Sequence, residues 1–385
     1  NNIYNYYVNL NIKEIKLQEK ESKLLLDIYK NIKTSIRYLI DYQNKSLLFL
    51  KCKSINKHDD IPVTDDFGSI PHTIRNNIYH HSKTIITNSI PIHFQKKKIN
   101  FTFVVKENEN DIVLDNYVKM IEKMLSWIHV FSQYSKNNCA KTLNILLYFT
   151  ETHKKLPTSE LDTINNHHVN TAFTYVCPND GKIVIYRKEE WFKVFIHETF
   201  HTFKLDFSSM NLTSTFPVLQ KLFKINCDID LSEAYTETWA TIINMLYCID
   251  SVNLDCDKLN DAINIVINVE RQHSLSQINK ILLFNGLTYR QLIESRTIND
   301  IYKEKTNVFS YYVIKGILIY HINDFLNFCN NENIFPIVFK KTPNNLILFI
   351  NLVKKLSKNK KLLNDLELSP ISNSHKLNMT FCHFI

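Results

Sequence analysis

Glycine is nearly absent. The 385-residue chain has four, Gly68, Gly181, Gly286 and Gly316, all far apart. Loops that cradle a phosphate or pyrophosphate need several glycines in close succession, which argues against both a Walker-type NTPase and a Rossmann dehydrogenase. C-x-x-C spacing is also missing among the eight cysteines, which argues against a structural zinc ribbon. A chain this long does not need disulfide staples, and mostly free thiols in a reducing compartment are expected. No secretory signal pattern is visible, and apolar runs such as "NLILFINLV" are too short to span a bilayer. The expectation is an intracellular or virion-associated protein, neither secreted nor membrane-spanning.

What remains is ordinary globular material, 44% hydrophobic and 22% charged, able to bury a sizeable core. Asn, Ile and Lys are overused, a bias that fits AT-rich codons. The net charge of +8 is mild for the length. Clusters such as "QKKKIN" and "KKLSKNKKLL" read as solvated faces; the excess favours an acidic partner without pointing to nucleic acid.

The length suits one large domain or two to three smaller ones. Apolar residues at helical spacing predict a helix over 13–43. "SLLFLKCK" (46–53) and "INFTFVVK" (99–106) read as strands, with polar loops between them and a soft boundary in "ENEND" near 107–112. Beyond it, 115–134 is a striped helix and 142–150 a buried strand. Residues 170–176 and 182–187 form a hairpin around "PNDG", where Gly181 is expected to supply the turn. Residues 189–203 and 231–248 are helices, and 258–363 is mostly helical. The expected class is α+β: an N-terminal α/β region (1–110), a small mixed sheet with an edge strand and packed helices (111–250), and a mostly helical subdomain (251–385).

The helix "EEWFKVFIHETFHTF" contains His197-Glu-Thr-Phe-His201, an H-E-x-x-H motif. Residues i and i+4 share a helix face, so both imidazoles can reach one metal ion. Glu198 lies beside that face, placed to take a proton from an activated water without being a ligand. The bland reading is a pair of hydrogen-bonded core histidines, but burying two His and a Glu is costly unless they are paired or metal-bound.

A catalytic zinc takes three protein ligands and leaves a position open. The metzincin pattern would put Gly and His at 204 and 207; here they are Lys204 and Phe207, and Asp206 reads as part of a helix end. "SEAYTET" is the better source. Glu233 and Glu237, at i and i+4, allow Glu233 to bind the metal while Glu237 accepts a bond from a ligand histidine. Two alternatives stay open: Glu233 as the partner of Asp230 in a capping box, and Glu237 as the ligand.

H-E-x-x-H followed by a helix carrying Glu-x-x-x-Glu resembles the gluzincins, the thermolysin-like branch of zinc metallopeptidases. The resemblance covers roughly residues 115–250, with a longer gap between the two helices than in thermolysin. It implies His197, His201 and Glu233 as ligands of one zinc, Glu198 as general base and Glu237 as a supporting acid. It also implies that Asn170, Ala172 and Phe173 form the edge that pairs with an extended peptide or protein substrate; a plain edge strand is the alternative. "IVIYRKEEWFKVFIHETFH" further resembles metallopeptidase-like proteins of large nucleocytoplasmic DNA viruses.

Peptide hydrolysis needs one more donor for the developing oxyanion. Tyr311 and Tyr312 in "FSYYVIKG" and His273 in "ERQHS" are the candidates. His80-His81, His167-His168 and His383 read as surface or packing residues, since adjacent histidines point to different sides. Zinc-dependent peptide hydrolysis is the leading expectation. A catalytically silent fold with a structural or assembly role is the alternative, and a nucleic-acid module rests only on charge.

Overall fold

The structure is a computed structural model that describes residues 13–43, 49–135, 138–159, 161–252, 254–297, 300–370 and 374–383. Helix α1 is Glu19–Gln43. Strand β1, Leu50–Ser54, covers part of the strand expected over 46–53; residues 46–48 lie outside the described residues. Helix α2 (His72–His81) and strands β2 (Thr84–Asn88), β3 (Ile92–Phe94) and β4 (Lys97–Val105) follow. Then come α3 (Leu114–Ser132), β5 (Thr142–Tyr148), β6 (Ala172–Thr174) and β7 (Asp180–Ile185).

These strands make one mixed sheet in the order β1-β2-β4-β5-β7-β6, with β3 beside β4. Its centre, β4-β5-β7, is parallel, and α3 is the crossover from β4 to β5. The sheet runs unbroken across residues 107–112. Side chains alternate as a pleated strand requires. Ile99, Phe101, Phe103, Leu143, Ile145, Leu147, Ile183 and Ile185 enter the main core. Val104, Leu146, Tyr148, Val184 and Tyr186 face a smaller cluster closed by Ile74 and Ile78 of α2. Burial on both faces explains the near-continuous apolar runs of the central strands.

The β6–β7 hairpin forms as expected, but Gly181 does not make its turn. Cys177 takes the left-handed conformation there (φ 50°), while Gly181 lies inside β7. A Cβ at 181 would come within 2.5 Å of the Ala140 Cβ, so glycine serves close strand packing. Cys177 is also bonded to Cys139, which corrects the expectation of thiols for that pair; Cys52, Cys227, Cys248, Cys329 and Cys382 are free. The physical reason is pairing: Ala140 and Lys141 donate backbone bonds to Pro178 and Asn179, which brings 139 and 177 within disulfide reach.

The helical part comprises α4 (Trp191–Thr202), α5 (Phe216–Phe223), α6 (Leu231–Asp250), α7 (Leu259–Phe284) and α8 (Tyr289–Glu294). After these come a π-helical turn (Phe309–Ile314), α9 (Lys315–Tyr320), α10 (Ile322–Glu332), α11 (Pro343–Ser357) and α12 (Lys360–Leu368). No helix among the described residues is long and apolar enough to cross a membrane. Helix α4 packs between the β6–β7 edge of the sheet and α6, and that sandwich positions the polar residues considered next.

Candidate metal centre

Helix α4 starts two residues later than the sequence suggests, because Glu190 takes a left-handed conformation (φ 55°) at its N-cap. The Glu190 carboxylate is buried in an ion pair with Lys154 and accepts the Thr380 amide (2.9 Å). Burial alone would raise its pKa, but Lys154 and Lys193 hold it well below the usual carboxylate range. At the other end the helix stops in a Schellman turn: the Leu205 amide bonds the Phe200 carbonyl and the Lys204 amide bonds that of His201. Lys204 occupies the left-handed position usually given to glycine (φ 53°). The chain therefore doubles back and delivers Asp206, fully buried, to the end of the helix it has just left.

Along α4 and α6 the polar side chains converge. His197 Nδ1 lies 2.9 Å from Glu237 Oε2, and His201 Nδ1 lies 2.5 Å from Asp206 Oδ2. A carboxylate only accepts, so each Nδ1 carries a hydrogen, and in the neutral ring each Nε2 presents a lone pair. The two Nε2 atoms are 3.1 Å apart, and Glu233 Oε2 is 3.2 Å from one and 3.5 Å from the other. Glu233 Oε2 is buried and has no well-aligned hydrogen-bond partner. With both rings neutral three lone-pair atoms would face one another, and these repel unless a proton or a metal ion lies between them. Tetrahedral ligands about 2.05 Å from a zinc ion would sit roughly 3.3 Å apart, which matches this triangle. The residues thus fit a metal, and the mixed imidazole–carboxylate set suits zinc or a similar first-row ion better than calcium or magnesium. Among the described residues this is the only group of three or more such side chains brought so close.

The carboxylates around the two rings favour positive charge between them. Burial opposes a positive His197, yet Glu233 and Glu237 push it up to about 9. Burial likewise opposes the proton on His201, and Asp206 and Glu233 raise it. Burial would raise Glu233, but His201 and His197 hold it well below the ordinary carboxylate range. Protons and a metal ion compete for the same negative pocket. The capping alternative for Glu233 is settled by Asp230, which caps α6 with its own carboxylate and leaves the Glu233 side chain to face the histidines. Glu237 is the histidine's partner, and its other oxygen takes the Lys193 ammonium in a buried ion pair.

Glu198 lines a small cavity of about 40 Å³ bounded by Asn170, Ala172, Lys193, His197, Tyr311 and Met379, among others. No described side chain hydrogen-bonds its carboxylate, and burial, ahead of the pull of His197 and His201, raises its pKa. Tyr311 reaches this cavity, with its ring 6.0 Å from that of His197 and near perpendicular to it. Its hydroxyl, raised by burial and then by Glu233 and Glu198, stays protonated and can donate.

Tyr312 and His273 do not come to the cavity. Tyr312 donates to the Leu377 carbonyl (2.7 Å), and His273 Nε2 is bonded to that of Asn378 (3.0 Å). Their polar atoms are engaged elsewhere, so neither sequence-based candidate is placed to act as an oxyanion donor. The edge segment also divides. Asn170 is an anchor whose carbonyl accepts from Arg187 and whose side chain accepts from Thr306. Phe173 turns its side chain toward the smaller core cluster. Because Tyr186 donates to Thr171, the register directs the backbone groups of 171 and 173 to β7 and those of Ala172 outward along the free edge.

Sequence reasoning did not find Asp206, Lys193 or Met379 as parts of this site. Asp206 is five residues past His201, a distance that becomes contact only through the left-handed Lys204; Lys193 is one turn before His197, a signal present but unread. No protein-family model matches the chain, and no curated protein and no solved structure matches it.

Proposed function

We propose that this chain is a zinc-dependent peptidase with a zincin-like arrangement of an active-site helix against a sheet edge. The reading is carried by the triangle of His197 Nε2, His201 Nε2 and Glu233 Oε2, 3.1–3.5 Å on a side, with the second nitrogen of each histidine tied to its own buried carboxylate. These three side chains would hold the ion. When bound, zinc supplies Lewis acidity that activates a water and polarises a carbonyl.

The protein's own residues supply the rest. Glu198, whose carboxylate no described side chain hydrogen-bonds and whose pKa burial raises, takes a proton from water and passes it to the leaving amine. Tyr311 donates to the developing oxyanion, its hydroxyl remaining protonated in the field of Glu233 and Glu198. Ala172 offers an outward N–H and C=O to an extended peptide, which binds as an added strand without demanding a sequence. Glu237 and Asp206 fix the orientation of the two imidazoles and keep both Nε2 atoms free.

The test is digestion of a mixed peptide library by zinc-loaded protein, with Glu198→Gln and chelator-treated protein alongside. Cleavage by wild type that both controls abolish supports the proposal. Full zinc occupancy with no cleavage at any site would replace it with the catalytically silent, structural role.

A further inference from the structure

Tyr312 and His273 have a different task from the one their types suggest. With Lys315 they bind three consecutive carbonyls of one segment: Tyr312 the carbonyl of Leu377, His273 that of Asn378 and Lys315 that of Met379 (2.6 Å). The Thr380 amide continues the series onto Glu190, and the Phe381 and Cys382 amides onto Glu270. At its start the segment pairs with the chain before the sheet edge, where the Leu377 amide donates to Lys154. Residues 376–382 are thus strapped down through their backbone by buried charged and polar groups from α4, α7, α9 and the π-helical turn. Such a strap is rigid, since loosening any part of it leaves a buried polar group unpaired.

Met379 is the one side chain of the strap that borders the cavity holding Glu198 and His197. It is 6% exposed, and its sulfur lies 3.4 Å from Lys193 Nζ, the same ammonium that binds Glu237. Ala172 of the sheet edge lines the same cavity. The free space in this cavity is about 40 Å³. A water needs roughly 10–15 Å³ on this measure, so the space admits about three or four heavy atoms at most.

We propose that Met379 is the specificity-determining residue of the site. It limits the side chain accepted next to the scissile bond to glycine, alanine or serine. This rests on the peptidase reading above and names its substrate class: extended peptides with a small residue at the point of cleavage. The strap does not yield to a larger residue because its carbonyls and amides are bound one by one. Shortening the Met379 side chain is therefore what enlarges the pocket.

The inference is tested on zinc-loaded wild type, Met379→Ala and the milder Met379→Val by calorimetric titration with the hydroxamates of glycine, alanine, leucine and phenylalanine. Zinc content and circular dichroism of the same samples establish that each variant is folded and loaded. Wild type is expected to bind the glycine and alanine compounds at least about tenfold more tightly than the leucine and phenylalanine ones. Met379→Val should narrow that ratio and Met379→Ala should reverse it. Equal affinity across the series in wild type, no binding of any member, or an order unchanged in both variants would overturn the proposal. Size-ordered binding without cleavage of any library peptide would support the Met379 wall while overturning the peptidase reading.

Discussion

Nδ1 of His201 lies 2.5 Å from Oδ2 of Asp206, and the carboxylate that receives it is fully buried. Glu237 does the same for His197. Partners of this kind typically carry about 10–100-fold in metal affinity. Asp206→Ala is expected to weaken zinc binding by that factor, and Asp206→Asn, which keeps an acceptor oxygen, by less. Glu237→Ala should lose affinity and also stability, by about 3–5 kcal/mol, because it strands the buried Lys193 ammonium. Competition against a chromophoric chelator and urea unfolding measure the two effects; unchanged affinity in both alanine variants would contradict the assignment.

Tyr311 and Tyr312 are adjacent in sequence and act in different places. Tyr311→Phe should lower kcat about 100-fold with KM and zinc content nearly unchanged. Tyr312→Phe leaves the Leu377 carbonyl without its donor and should cost about 1–3 kcal/mol of stability. Kinetics and denaturant unfolding on the two variants should therefore give opposite patterns, and a larger kcat loss in Tyr312→Phe would reverse their roles.

Glu304 makes stability pH-dependent. Burial raises its pKa to about 7, despite bonds from the Tyr302 hydroxyl and the Phe309 amide. The folded state then holds the proton more tightly than the unfolded chain does. Its stabilisation is complete below the unfolded value of about 4.3 and is lost as pH rises through the folded value. Between pH 5 and 8 wild type should lose about 2–3 kcal/mol that Glu304→Gln does not lose. Urea unfolding of both proteins across this range checks the sign; a wild type that gains stability relative to Glu304→Gln as pH rises would refute it.

Lys204 pays a left-handed backbone penalty at the end of α4. Lys204→Gly keeps the backbone bonds of the turn and should stabilise the fold by up to about 1 kcal/mol. Thermal unfolding reads this directly, and a destabilised variant would show that the side chain has a further role.

Much of the site was legible because it obeys local periodicity. His197 and His201 share a face by their i, i+4 spacing, Glu233 and Glu237 do likewise, and the alternation of Ile99, Phe101 and Phe103 marks a strand. Asp206 was legible as a residue but not as a partner, since its approach depends on Lys204 adopting a conformation the sequence does not advertise. Gly181 was misread for the complementary reason: it is needed for close contact with Ala140, just before β5, whereas Cys177 makes the turn.

Contacts between distant parts of the chain left no periodic trace. Nothing near Met379 signals that residues 376–382 return to the cavity, because the groups that hold them come from four separate elements. Tyr311 and Tyr312, adjacent on the π-helical turn, likewise point in different directions, one toward His197 and the other toward the strap, and only the surrounding elements decide which is which.

Zinc content tests the central claim most directly. Wild type, Glu198→Gln and Glu233→Ala would be stripped with chelator, reloaded with zinc, separated from free metal and analysed by mass spectrometry. One zinc per chain in wild type and in Glu198→Gln, with much weaker retention in Glu233→Ala, is the predicted result. A wild type that takes up no zinc would contradict the account and leave His197, His201 and Glu233 as a protonated ion-pair cluster.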